Sequence, residues 1–461
     1  MPNIIWANPH LTVDTVLENA KLYLRGRIVE AGLAIDGGRI TKIAKTPNLP
    51  EGSEKIDVEG RLILPGLIDV HVHLRDQGLS YKEDFYTGTA AAANGGITLV
   101  MDMPNNEPTT MSLNSLRERM RIAEGRILVN TAFYSAFPKN VGEIGKIITE
   151  GGAVAFKLYM VRRIGGVDPT DREALNEAFR ETARFGVSVA IHAEDIKMIE
   201  AGVEAMRNLG RNDPEAYLEV HTPEAEVKAI REVARLTEKT KAKVHICHLS
   251  SSAGVEAVSE MKSRGLPVTC EVTPHHLLLT SEYAKRLGGL ALMDPPLRSE
   301  GDVKGLWRAL HRGVIDIVAS DHAPHTLEEK SGSSIWDVKT GIPGLETTLP
   351  LLLTEVYRGR LTLQSLVRLT SERPAMVFGI TGRGRISEGG YADLVVVDMK
   401  RRFKIDSSSF LSKAKFSPFD GWEVRGKPVK TFVNGRLVMD DGEIVAKPGV
   451  GVIIRRMGGL G

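Results

Sequence analysis

The sequence predicts an α/β chain, a (β/α)8 TIM barrel carrying a small β-sandwich domain formed by the N- and C-terminal segments. Three observations predict it. Eight short apolar runs alternate with helical stretches over residues 63–384, both chain ends read as strands and turns, and residues able to bind metal fall where the apolar runs stop. Strands alternating with helices pair in parallel, and eight such units close into a barrel of about 250 residues.

Residues 22–24, 32–35, 39–40 and 55–58 read as strands, with Asp36-Gly37-Gly38 as a hairpin turn. The eight barrel runs are residues 68–71, 97–101, 127–133, 154–158, 187–192, 244–247, 268–272 and 315–319. Helical signals lie between them at residues 90–93, 171–185, 223–236, 253–262 and 302–310; a last barrel helix follows at 346–357, and another starts at Leu363. The β pattern returns at residues 392–398 and 429–438, the latter turning at Asn434-Gly435. Each end alone is small for a stable core, so residues 1–62 and 385–461 are expected to form one composite domain beside the barrel of residues 63–384.

Composition narrows the function. The formal net charge is +2 and no long Lys/Arg run occurs, so nucleic acid is not an expected partner; residues 400–402 and Arg455-Arg456 read as solvated surface. Residues 1–6 lack a basic segment followed by an apolar one, and no stretch approaches the ~18 apolar residues of a spanning helix, so neither secretion nor membrane insertion is expected. The two cysteines, Cys247 and Cys270, sit in apolar runs and read as buried, reduced thiols in a cytoplasmic protein.

The chemistry lies at the ends of the runs. His71-Val72-His73 puts two imidazoles two residues apart, and because strand side chains alternate, both can reach one metal ion. A barrel site forms at the C-terminal ends of its strands. His71 and His73 end the first run, Lys157 the fourth, His192 the fifth, His248 the sixth and Asp321 the eighth. One polar residue capping a strand is ordinary, whereas six at one end of a barrel describe a metal site. Lysine is the odd member, since an ammonium cannot bind a cation. Burial beside metal favours the neutral amine, which reacts with carbon dioxide to give a carbamate whose two oxygens can bridge two metals; the plainer role for Lys157 is pairing with an acid or with substrate.

Several histidines read as structural. His275 and His276 follow the seventh run as hydrogen-bonded supports, His245 is an odd number of residues from His248 and should face away, and His322 supports the site from behind Asp321. Residues 160–167, with Arg162-Arg163 and Gly165-Gly166, form a candidate loop over the mouth.

The stretches Pro65-Gly66-Leu67-Ile68-Asp69-Val70-His71-Val72-His73-Leu74-Arg75, Phe156-Lys157-Leu158-Tyr159, Ile246-Cys247-His248 and Ser320-Asp321-His322-Ala323-Pro324-His325 resemble the amidohydrolase superfamily and, within it, the dihydroorotases. Thr273-Pro274-His275-His276, Pro295-Pro296-Leu297-Arg298 and Pro343-Gly344-Leu345-Glu346-Thr347 extend the resemblance over nearly the whole chain. It implies two zinc ions: His71, His73 and Asp321 on the more buried one, His192 and His248 on the other, with carboxylated Lys157 and a hydroxide between them. It also implies reversible cyclisation of N-carbamoyl-L-aspartate to L-dihydroorotate in pyrimidine synthesis, with Asp321 as the catalytic base and acid.

Arg75, two residues after His73, faces the same mouth with a fork suited to a carboxylate; with Asn105 and His325 it would hold the substrate's free carboxylate. Hydantoinases and allantoinases share the fold, lysine and metals but generally lack this arginine. A non-catalytic scaffold relative is the remote alternative, set aside because every metal ligand stands. Two departures are Arg75-Asp76-Gln77-Gly78, where many relatives read Arg-Glu-Pro-Gly, and Asp294, where bacterial relatives often carry Asn. The resemblance leaves open a homodimer and association with aspartate transcarbamoylase.

Overall fold

The structure, a computed structural model, describes residues 12–456; the residues 1–6 read above for a leader lie outside them. The chain opens with β1 (Val13–Leu24), β2 (Arg27–Asp36), β3 (Arg39–Ala44), β4 (Gly52–Asp57) and β5 (Leu62–Pro65). Eight strands follow and pair in parallel in sequence order: β6 (Leu67–Val72), β7 (Ile97–Asp102), β8 (Asn130–Ala136), β9 (Ala155–Tyr159), β10 (Ser188–His192), β11 (Val244–Ile246), β12 (Val268–Val272) and β13 (Ile317–Val318). The first and last of these meet through a parallel bridge between Val72 and His322, through the His73 N–H on the His322 carbonyl at 2.8 Å, and through the Ser320 N–H on both Asp69 carboxylate oxygens at 3.2 Å.

A barrel needs a filled axis. Ile68, Val70, Leu99, Met101, Ala132, Tyr134, Ala155, Ala190 and Ile317 form one buried cluster although they come from strands all around the barrel, so the cluster occupies its interior. The covering helices include Phe85–Asn94, Leu113–Ala123, Arg172–Arg184, Pro223–Thr240, Ser252–Ser263, Glu300–His311 and Thr348–Tyr357. The side chains of Asp84, Ser112, Asp171, Thr222, Ser251 and Ser299 accept backbone N–H bonds at the N-termini of the first six, which is why those helices begin there.

Both ends of the chain meet in one nine-stranded sheet. β14 (Leu394–Lys404), β15 (Glu423–Val433), β16 (Arg436–Asp440) and β17 (Glu443–Ile444) join it with β14 antiparallel to β5, Leu394 opposite Pro65. A last short strand, β18 (Ile453–Ile454), returns to the barrel and pairs with β8.

Three expectations are corrected. The third run was expected at residues 127–133, but β8 is Asn130–Ala136; Ile127 instead accepts N–H bonds from Gly449 and Gly451, and polar Asn130 enters the strand because its amide is satisfied by the Thr98 carbonyl and Asp393. The last barrel helix begins at Thr348, not 346, because Glu346 turns its carboxylate to Asn94 and to the Leu411 and Ser412 N–H groups. Two unexpected helices, Ile196–Asn208 and Pro214–Val220, lie between β10 and its covering helix, each begun by an aspartate cap, Asp195 and Asp213.

Candidate metal centre at the barrel mouth

The nine candidate site residues, His71, His73, Arg75, Asn105, Lys157, His192, His248, Asp321 and His325, all line one cavity of about 130 Å³ at the C-terminal ends of the strands. Strand geometry delivers some of these side chains and strained turns deliver others. Lys157 and His192 lie two residues after Ala155 and Ala190, on the inner faces of β9 and β10. Arg75, His248 and Asp321 lie beyond their strands at φ of 63°, 34° and 48°, the left-handed region that side chains avoid at a cost of about 1–3 kcal/mol. Those turns aim the three side chains inward.

Asp321 Oδ1 sits 3.2 Å from both His71 Nε2 and His73 Nε2. The imidazole centroids of His71 and His73 are 5.3 Å apart, those of His71 and His248 5.2 Å, and those of His192 and His248 4.5 Å. Burial holds His71, His73 and His248 below the ordinary histidine range, so each presents a neutral ring with a lone pair. Burial raises the Asp321 carboxyl, outweighing the nearby Lys157 charge that lowers it. Nδ1 of His248 is buried without a hydrogen-bond partner. Neutral imidazoles, a carboxylate and an unpartnered ring nitrogen gathered in one cavity fit a zinc-type ion.

Lys157 is buried, with Nζ 3.4 Å from His71 Nε2 and 3.1 Å from the Cys247 sulfur. Burial pushes the Cys247 thiol up to about 12, so it is neutral and gives Lys157 no counter-charge. Among the described residues no carboxylate forms an ion pair with Lys157, which removes the simplest structural reason for a lysine here.

The supports behind the ligands include residues the sequence reading did not single out. Glu271 of β12 contacts His71 Nδ1 with one oxygen and His245 Nε2 with the other, at 3.0 Å. The odd spacing from His248 put His245 on the outer face, but it turns into the barrel below the mouth, against Thr269 and the Phe378 ring, and steadies the site through Glu271, while His248 reaches the mouth through its left-handed turn. Glu194 takes His192 Nε2 at 2.7 Å and His221 Nδ1 at 3.0 Å. Burial would raise both glutamates; the hydrogen bonds from the histidine rings they face work against it and hold them on the low side of the carboxylate range. Carboxylates behind imidazoles fix the ring tautomer and orientation. A charged residue in an apolar run was the available signal for Glu271 in Val-Thr-Cys-Glu-Val, as was the two-residue spacing of Glu194 from His192.

Asn105 holds His73 Nδ1 through its side-chain oxygen at 2.6 Å while still lining the mouth. His325 Nε2 lies 3.2 Å from Arg75 Nη2, and its Nδ1 3.1 Å from Glu329. Arg75 is buried, and its Nε has no partner. His276 is hydrogen-bonded to Thr273 and the Pro295 carbonyl, and His322 Nδ1 accepts the Gly344 N–H. Arg162 closes the rim through Asp294 and Thr340.

The model of the amidohydrolase family matches residues 62–438. The chain is 39% identical over 434 residues to a dihydroorotase of Methanothermobacter thermautotrophicus, covering 94% of this chain and 95% of that protein. It is 35% identical over 450 residues to an L-hydantoinase of Paenarthrobacter aurescens, covering 96% and 98%. Among solved structures, the L-hydantoinase (dihydropyrimidinase) of Arthrobacter aurescens superposes with a TM-score of 0.92 at 34% identity, over 96% of this chain and all of that one. Barrel, composite sheet, gathered ligands and these likenesses agree: the chain belongs to the metal-dependent amidohydrolase family and is a cyclic amide hydrolase.

Proposed function

We propose that the protein is a dihydroorotase, interconverting N-carbamoyl-L-aspartate and L-dihydroorotate in pyrimidine synthesis with two zinc ions held by His71, His73, His192, His248, Asp321 and a carboxylated Lys157. The observation that carries the substrate is Arg75, a buried guanidinium at the mouth with an unpartnered Nε. An open donor on a buried cation is costly unless an anion arrives to take it, and a planar fork is the group that takes a carboxylate.

The hydantoinase reading has support of its own in the fold likeness to an L-hydantoinase. A hydantoin ring carries no carboxylate, however, and would leave Arg75 unsatisfied. Dihydroorotases also recur among the similar curated proteins, at 38% identity for those of Pyrococcus furiosus and Bacillus cytotoxicus.

When bound, the metal pair supplies hydroxide near neutral pH and polarises the scissile carbonyl. The chain's residues do the rest. Glu271, Glu194 and Asn105 keep the imidazoles oriented. Arg75, with His325 and Asn105 beside it, fixes the substrate carboxylate so that one face of the ring meets Asp321. Asp321 takes the proton released at the attack and delivers it to the leaving ring nitrogen; in reverse, the nitrogen closes on the carboxyl carbon with loss of one water. The same reading includes a cytoplasmic enzyme, a homodimer and a contact with aspartate transcarbamoylase; a molecular-mass measurement with and without that enzyme tests the last two.

The deciding assay compares ring opening of dihydroorotate, hydantoin and allantoin. The wild type prefers dihydroorotate, and Arg75→Ala lowers kcat/KM for it about 100-fold, the size of a lost charge-assisted pair, with little change for neutral rings. Faster opening of hydantoin than of dihydroorotate by the wild type would overturn the proposal.

A further inference from the structure

Asp294 poses a problem for a site that receives an anion. Its side chain lines the mouth and is only 9% exposed, and its Oδ1 is buried without a hydrogen bond, 3.7 Å from His221 Nδ1. The carboxylate of Glu194 lies beside it, on the same His221 Nδ1 at 3.0 Å. Such a carboxylate repels an incoming carboxylate unless something cancels it. The cancelling group comes from the rim: Arg162, on the 160–167 loop, ion-pairs with Asp294 Oδ2 and also donates to Thr340 Oγ1 at 3.3 Å, and Thr340 Oγ1 donates in turn to Asp294 Oδ2 at 3.1 Å. This joins the loop after β9, the long connection between β12 and β13, and the segment after β13 at one point on the cavity wall.

We propose that Arg162 is a specificity-determining residue whose guanidinium neutralises Asp294, making the mouth acceptable to a ring that bears a carboxylate. The inference rests on the carboxylate-bearing substrate proposed above. Arg162 is half-exposed and far from the gathered imidazoles in role: it sets the charge that the entering anion meets, while Arg75 holds that anion once inside. The pair is therefore expected to act on substrate capture and not on the bond-making step.

The test is a double-mutant cycle of Arg162→Ala and Asp294→Asn, read as KM and kcat for dihydroorotate on the alkaline side of neutrality, where a carboxyl that has lost its cation is ionised. Arg162→Ala is expected to raise KM on the order of tenfold, the scale of a like-charge contact at a partly open mouth, and to leave kcat within about twofold. Adding Asp294→Asn returns KM to near the wild-type value, because the carboxylate that needed cancelling is gone. Added salt shrinks the KM gap of the single variant. If Arg162 only braces the loop, the double variant is as impaired as the single one, and the proposal fails. An unchanged KM in Arg162→Ala also overturns it. A wild type that does not open dihydroorotate at all defeats the substrate reading instead, an outcome visible before any variant is made.

Discussion

Two buried polar clusters sit at opposite ends of the barrel, and they differ in whether their atoms are satisfied. At the junction with the terminal sheet, Asp393 accepts from the Asn434 N–H at 2.7 Å and from Asn130 Nδ2 at 3.1 Å and pairs with Arg383, whose other nitrogen reaches Asn434 Oδ1 at 2.9 Å. Arg383 also lies over the Tyr391 ring at 3.9 Å. At the mouth, Arg75 Nε, Tyr159 Oη, His248 Nδ1 and Asp294 Oδ1 are all buried and unpartnered. Buried polar groups are normally paired, so a closed network reads as structure, and a cluster of open atoms reads as a place kept for something else.

The comparison breaks most visibly if the mouth proves to be structural. Asp321→Asn is expected to lower kcat about 1,000-fold, since it removes the proton acceptor and a metal ligand. Thermal unfolding of the metal-free protein should not worsen, because burial already disfavours the charged Asp321 carboxyl. Steady-state kinetics with a calorimetric melt checks both; a large loss of Tm would contradict the contrast.

Asp393→Ala should do the reverse. It strands Arg383, 3% exposed, beside an unpaired Asn434 N–H, and breaking a buried ion pair costs about 3–5 kcal/mol. Denaturant unfolding reads that loss, while kcat per folded molecule stays at the wild-type level. Activity falling in step with Asp321→Asn would mean that the two clusters are coupled.

The same contrast explains what the sequence made legible. A metal site needs ligands at strand ends, and strand ends are readable wherever an apolar run stops, so nine candidates could be named from position, spacing and resemblance, and all nine line one cavity. Glu271, Glu194 and His221 were not singled out, because their roles lie in contacts between different segments: Glu271 joins β12 to His71 across the barrel, and no local periodicity encodes that pairing. The start of the third barrel strand was misplaced for the same reason: the Ile127 carbonyl is taken by the Gly449 and Gly451 N–H groups from the far end of the chain. Asp294 stood in the sequence only as a departure from the Asn of bacterial relatives, and its partner Arg162 is visible only in the fold.

Glu346 tests whether hydrogen-bond satisfaction suffices without a cation. Its carboxyl accepts from Asn94 Nδ2 at 2.8 Å and from the Leu411 and Ser412 N–H groups at 2.9 and 3.2 Å, tying the segment after the barrel mouth to the terminal sheet's long connection. Burial outweighs those three donors, and the nearby Glu83 adds to it, pushing Glu346 from 4.5 to about 7. Below the unfolded value both states hold the proton, so the group is neutral to stability. Between 4.5 and about 7 the unfolded chain releases its proton while the folded one keeps it, so stability falls as pH rises; above about 7 both have released it and the dependence ends. The loss across that window is about 2 kcal/mol, a discounted conversion of the shift. Glu346→Gln cannot titrate, so whatever its overall offset, its unfolding free energy should lack this downward slope between pH 4.5 and 7. Equal slopes in the two proteins would mean that the three N–H donors hold the folded carboxylate ionised at its ordinary value, and that satisfied hydrogen bonds alone can settle a buried charge.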